Sequence, residues 1–130
     1  MRPIDYFNLC RKIAINKDGR NFLIGAVGIR NDGVMVCARN LPVFFSNRTE
    51  FCKIPGSHAE QRVMAKMDYS GVLYVVRISK VDNIFLNSRP CKLCQPSIIQ
   101  HKIKKVYYTA GGDMYGVWNL QKDTEILYKL

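Results

Sequence analysis

Two cysteines, Cys91 and Cys94, stand three apart behind a proline in the stretch Ser88-Arg89-Pro90-Cys91-Lys92-Leu93-Cys94. Two thiolates grip a metal but do not complete a site. Upstream, in Gly56-Ser57-His58-Ala59-Glu60-Gln61, a histidine precedes a carboxylate by two positions. One histidine and two cysteines make three ligands for a tetrahedral zinc, with the fourth position left to water. Zinc lowers the pKa of such a water toward roughly 7. A nearby carboxylate that does not ligate the metal, Glu60, is then placed to take that water's proton and pass it on as a general acid/base.

This chemistry requires that two distant segments meet. The stretch Ser57 to Met67 reads as a helix, with Ala59, Val63 and Met67 on one stripe. Gly71-Val72-Leu73-Tyr74-Val75-Val76-Arg77-Ile78 is a near-continuous apolar run, the mark of a strand buried on both faces. A second helix is expected to open at Pro90, with Pro96 tolerated in its first turns and Leu93, Ile98 and Ile99 turned inward. In that helix Cys91 and Cys94 share a face. Two helices packed in parallel on one sheet face, with the strand between them, bring His58 beside the cysteine pair. Their N-terminal dipoles favour thiolates.

The remaining elements complete a sheet. Pro3 to Asn16 carries an apolar stripe at Ile4, Phe7, Cys10, Ile13 and Ala14, with Asp5 near its start and a stop at Gly19. Asn21 to Arg30 and Val34 to Arg39 read as a hairpin around Asn31-Asp32-Gly33. Asn40 to Gly56 has no period and reads as a long, functional loop. Lys80 to Ser88 is a connector. Ile103 to Thr109 is a further strand, and Met114 to Leu120 is expected to return antiparallel after the Ala110 to Asp113 turn. Gln121 to Leu130 fits no element clearly. Alternating helices and strands predict an α/β fold in three layers, with a mixed central sheet of about five strands flanked by helices. The 130 residues suit one domain spanning 1–130.

Together these residues resemble the cytidine and deoxycytidylate deaminase superfamily, whose signature is H-x-E followed by P-C-x-x-C. Here the signature stands as His58-Ala59-Glu60 and Pro90-Cys91-Lys92-Leu93-Cys94. The element order also matches, so the resemblance implies a cytidine-deaminase-like fold. It implies one Zn2+ per chain held by His58, Cys91 and Cys94, with Glu60 as the catalytic proton shuttle. It further implies a substrate contact at Asn40; Ala59, Pro90 and Arg89, next to the ligand residues, are expected to contact substrate as well. Asn40, at the end of the first hairpin, matches an asparagine that holds the sugar. The implied reaction is hydrolytic conversion of cytosine to uracil, and homo-oligomers are the rule among small members.

Other readings compete. Ser57 and Glu60 fit a capping box, a reading compatible with the metal site. A lone C-x-x-C also fits a redox pair. Arg89 could touch a substrate phosphate or pair with a surface carboxylate. Trp118 either closes the pocket or packs. His101 fits a contact at its helix C-terminus and is not taken as a ligand. Cys10, Cys37 and Cys52 read as buried or free thiols.

The formal net charge of +10 favours phosphate-bearing partners. From Asn83 to Gly112 there is no acid, while Arg89, Lys92, Lys102, Lys104 and Lys105 are present. The long loop adds Arg48 and Lys53 beside Phe44, Phe45 and Phe51. The expected substrate is a cytosine nucleoside or nucleotide. The alternative is cytosine or adenine in single-stranded DNA or RNA. A non-catalytic zinc-containing nucleic-acid-binding module is a third reading. No apolar run reaches the roughly 18 residues of a membrane span. The odd cysteine count argues against a disulfide framework, so a cytoplasmic protein without membrane contact is expected.

Overall fold

The computed structural model describes residues 2–15, 23–40, 58–92 and 94–130. Its sheet has strands β1 (Leu23–Ile29), β2 (Met35–Arg39), β3 (Val72–Ile78), β4 (Phe85–Leu86), β5 (Lys105–Gly111), β6 (Met114–Asn119) and β7 (Thr124–Lys129). Three helices accompany them: α1 (Pro3–Ala14), α2 (Ala59–Met64) and α3 (Gln95–Gln100). The strand order is β2-β1-β3-β5-β6-β7, with β4 paired to β3. Only β3 and β5 run parallel among the described strands; every other pairing is antiparallel.

Side-chain alternation sorts the core into two layers. Leu73 and Val75 of β3 and Val106 and Tyr108 of β5 face α2 and α3, against Ala59, Val63, Met64 and Ile98. Tyr74, Val76 and Ile78 face the other way, against Phe7, Cys10 and Ala14 of α1. Phe7, Leu73, Ile98 and Ile103 are almost entirely enclosed. Each contributes on the order of 1.5–3 kcal/mol of hydrophobic stabilisation. The α1 layer sits directly on the backbone of β1. A Cβ at Gly25 would run into the Cys10 carbonyl oxygen, so glycine is required there by closeness.

α1 starts with Pro3 in its first turn, and Asp5 accepts a hydrogen bond from the Arg2 N–H at 2.8 Å. The β5–β6 hairpin turns through Gly111 and Gly112, whose φ angles are +99° and +59°. The antiparallel return of Met114–Asn119 is as expected. The sheet is wider than expected by two strands. β4 is two residues long and carries no periodic signal. β7 is exposed at every position, so it has no buried face to impose alternation on its sequence.

A second difference lies at α3. The helix begins at Gln95 rather than Pro90, with Cys94 as its N-cap. Pro96 does sit in the first turn. Ile98 is buried, but Ile99 is 55% exposed and does not point inward. Gly19, the Asn40 to Gly56 loop beyond Asn40 itself, Ser57 and Leu93 lie outside the described residues. With them go Phe44, Phe45, Arg48, Phe51, Cys52 and Lys53. No helix among the described residues is long and apolar enough to cross a membrane.

Candidate metal centre and active site

Parallel β3 and β5 point their carboxyl ends to one edge of the sheet, where α2 and α3 begin. Ligand sites of α/β sheets gather at such edges. His58 is the N-cap of α2, in extended backbone conformation. Cys94 is the N-cap of α3, and Cys91 precedes it in a tight turn. That turn is closed by the Cys94 and Gln95 N–H groups, which both donate to the Cys91 carbonyl at 3.0 and 3.1 Å. The two cysteines therefore share a turn rather than a helical face. The Gln95 carboxamide donates to the Pro90 carbonyl at 2.9 Å and fixes the chain on the other side of Cys91.

The three side chains converge. His58 Nδ1 lies 3.9 Å from Cys91 Sγ, and Cys91 Sγ lies 3.7 Å from Cys94 Sγ. All three ligand atoms are within 4.8 Å of one another. A tetrahedral zinc with ordinary bond lengths sets two sulfurs about 3.8 Å apart and a sulfur and a nitrogen about 3.6 Å apart. The observed separations fit that ion.

The electrostatics fit as well. Burial lowers the His58 pKa, which keeps the imidazole neutral and able to ligate. Burial, with the Glu60 charge beside it, pushes the Cys94 thiol up. The dipole of a helix as short as α3 does not offset that burial. A thiolate in this position needs a cation next to it, which a divalent metal supplies. The same upward push disfavours a redox role for Cys94, since reactive thiols have lowered pKa values. Both cysteines are free.

Glu60 is 5% exposed, and burial raises its carboxyl above the usual range. Its Oε1 has no hydrogen-bond partner among the described residues. A buried carboxylate oxygen with nothing to bind is costly unless it awaits a ligand or a proton. With His58 as N-cap, Glu60 falls at the second helical position, one short of the position a capping box uses. Glu60 thus faces the cysteine pair instead of closing the helix end.

Of the other expected site residues, Ala59 is fully buried beneath α2 and Pro90 is buried before the cysteine turn. The Asn40 side-chain oxygen accepts from the Ile24 N–H at 3.0 Å, which fixes its carboxamide at the end of β2. Arg89 reaches β7. Its Nε lies 2.9 Å from both carboxylate oxygens of Glu125, and its guanidinium lies 5.9 Å from the centre of the Trp118 ring. The pairing reading of Arg89 is the one observed. His101 caps α3, with Nδ1 2.9 Å from the Ser97 carbonyl.

Sequence reasoning misses Ser88 and Thr109. The Ser88 hydroxyl donates to the Val75 carbonyl at 2.8 Å and lies 2.8 Å from Thr109 Oγ1. Thr109 in turn donates to the Leu86 carbonyl at 2.7 Å. This buried network ties the segment leading into Cys91 to β3 and β5. A serine two residues before the proline is the only visible signal, because its partner lies 21 positions away.

The sequence profile of the cytidine and deoxycytidylate deaminase zinc-binding region matches residues 3–110. The chain belongs to this family. The match takes in His58, Glu60, Cys91, Cys94 and all three helices, and the resemblance drawn from the H-x-E and P-C-x-x-C stretches is thereby shown. The protein is thus a member of a zinc-dependent deaminase family, a class of hydrolases, with the mixed sheet and flanking helices of that fold. β6 and β7 lie beyond the matched stretch. No curated protein matches the chain.

Proposed function

We propose that the protein is a hydrolytic deaminase that converts cytosine to uracil in a free nucleoside or nucleotide. The observation that carries this reading is the buried, unpartnered Glu60 carboxylate oxygen beside the convergent His58, Cys91 and Cys94. In this reading His58, Cys91 and Cys94 hold one zinc ion. Zinc, when bound, supplies a Lewis acid that makes water nucleophilic at neutral pH. Glu60 accepts a proton from the attacking water and delivers it to the amino group that leaves as ammonia. The raised carboxyl pKa suits a group that must both take and give a proton. Asn40, with its carboxamide fixed by Ile24, is the proposed sugar contact, while Ala59 and Pro90 form the walls around the base. Arg89, held by Glu125, would line the approach. A cytoplasmic location, one domain and self-association complete the reading on the sequence grounds above.

A second reading keeps the chemistry and moves it to cytosine or adenine in single-stranded nucleic acid. The excess of basic residues favours it: net charge is +10, with no acid between Asn83 and Gly112.

A deamination panel followed by mass spectrometry separates the two. It holds cytidine, deoxycytidine, their monophosphates, adenosine nucleotides and single-stranded oligomers, with Glu60→Ala as control. Turnover of a cytosine monomer that vanishes in the control supports the first reading. Turnover confined to oligomers replaces it with the second. Silence across the panel with zinc bound sinks both.

A further inference from the structure

The face of the sheet that carries α1 is only partly covered. α1 packs on β1 and β3. Beyond β3, no helix among the described residues lies on this face over β5, β6 and β7. Strand register puts Tyr107, Tyr115 and Tyr128 on this same face, with Tyr115 and Tyr128 direct cross-strand partners. The rings are stacked. Tyr6 lies on Tyr74 with centroids 4.3 Å apart and planes 19° apart, and Tyr74 lies on Tyr107 at 4.6 Å and 18°. Tyr115 and Tyr128 stack at 5.4 Å and 24°. Tyr128 is 43% exposed.

Lysines border this platform. Tyr6, Tyr74 and Tyr107 line a groove of about 390 Å³ whose rim carries Lys104 and Lys105. Both lysines are exposed, and neither pairs with a carboxylate among the described residues. The platform is not the metal centre. Cys94 belongs to the core layer beneath α2 and α3, and Tyr74 to the layer beneath α1, on the opposite face of the sheet.

We propose that this tyrosine face, with Lys104 and Lys105, is an accessory binding surface for single-stranded nucleic acid. Tyr74 is buried between Tyr6 and Tyr107, so unpaired bases lie on the open end of a stack, at the exposed Tyr128, and extend the row of rings while the phosphates meet the ammonium groups. A duplex cannot use the surface in that way, because its base faces are already covered by their neighbours. A second copy of this chain is a poor occupant of this particular face, since Lys104 and Lys105 border it and lysines are depleted from protein interfaces. The surface does not depend on the proposed reaction. It would hold a strand whether or not that strand is the substrate.

The test is fluorescence anisotropy on the full chain, with labelled single-stranded DNA and RNA of about 15 nucleotides and the matching duplex. The expected result is single-strand binding at low salt that exceeds duplex binding. Tyr128→Ser weakens it about tenfold, whereas Tyr128→Phe, which keeps the ring, does not. Lys104→Glu with Lys105→Glu lowers the slope of log affinity against log salt by about 0.7 for each phosphate no longer neutralised. Lys92→Glu, next to Cys91, leaves binding unchanged. The proposal falls if no strand binds at low salt, or if duplex binds as well. It also falls if Lys92→Glu removes binding while the lysine pair does not. Sedimentation provides the last arm: a dimer that Tyr128→Ser dissociates would overturn the proposal by showing that a second copy covers the face.

Discussion

The Ser88 and Thr109 side-chain oxygens lie 2.8 Å apart, and the Thr109 N–H donates to that Ser88 oxygen at 2.8 Å. Ser88 is 7% exposed and Thr109 is wholly enclosed. Ser88→Ala therefore strands the buried Thr109 N–H, while the Thr109 hydroxyl keeps the Leu86 carbonyl. We expect it to cost about 1–3 kcal/mol of stability in urea denaturation. Because the same segment leads into Cys91, the variant should also bind zinc more weakly. An unchanged unfolding midpoint would remove the network from any role in holding the site.

Glu60→Gln should reduce deamination by about a hundred- to ten-thousandfold while leaving zinc content and fold intact. Stability should hold or rise, since the change removes a buried carboxylate with an unpartnered oxygen. Parallel measurement of turnover, bound zinc and Tm checks this. Retained turnover would discard Glu60 as the proton carrier.

Zinc content should be about one per chain. Cys91→Ser, Cys94→Ser and His58→Ala should each lower it. A metal that binds only the folded chain stabilises it by about 2.7 kcal/mol when present at a hundredfold its Kd. Chelation should thus lower Tm in the native protein and have no effect in Cys94→Ser. A Tm indifferent to chelator in the native chain would refute the assignment of these ligands.

Alkaline pH should destabilise the fold. Burial, with the Glu125 charge behind it, pushes the Tyr108 hydroxyl up to about 12. Burial also pushes the Cys10 thiol and the Tyr74 hydroxyl up. The unfolded chain releases these protons first, at its ordinary values of about 8.5 for cysteine and about 10 for tyrosine. The folded chain then holds more protons than the unfolded one, so stability falls as pH rises. The contribution of these three groups should be level below about pH 8 and decline toward about 12. Urea midpoints measured across that range test the slope, which Tyr108→Phe should make shallower.

Much of the site is legible in the amino-acid sequence because its chemistry is dense in few residues. His58, Glu60 and the Cys91–Cys94 pair have types and spacings that few other arrangements use. The buried β3 is equally plain, since both its faces are apolar. What stays hidden depends on partners far apart in the chain. Arg89 and Glu125 are 36 positions apart, and nothing in either neighbourhood announces their pairing. The start of α3 is misjudged because Pro90 is a good helix opener by type. In the fold, its carbonyl is used by Gln95 and the cysteines need a turn. β7 escapes notice because an exposed edge strand is under no pressure to alternate.

That same edge sets how the protein behaves in a crowded tube. The outer rim of β7 offers a row of backbone donors and acceptors beside Ile126 and Leu127, which are 52% and 57% exposed. Such a rim recruits strands from neighbouring molecules unless something keeps them apart. Here the protection is long-range: copies of +10 charge repel one another in dilute buffer. Added salt shortens the reach of that repulsion to about 8 Å at physiological strength. We expect colloidal stability to be greatest at low ionic strength, with light scattering rising as salt is added. Scattering that instead fell with salt would show that the rim is already shielded.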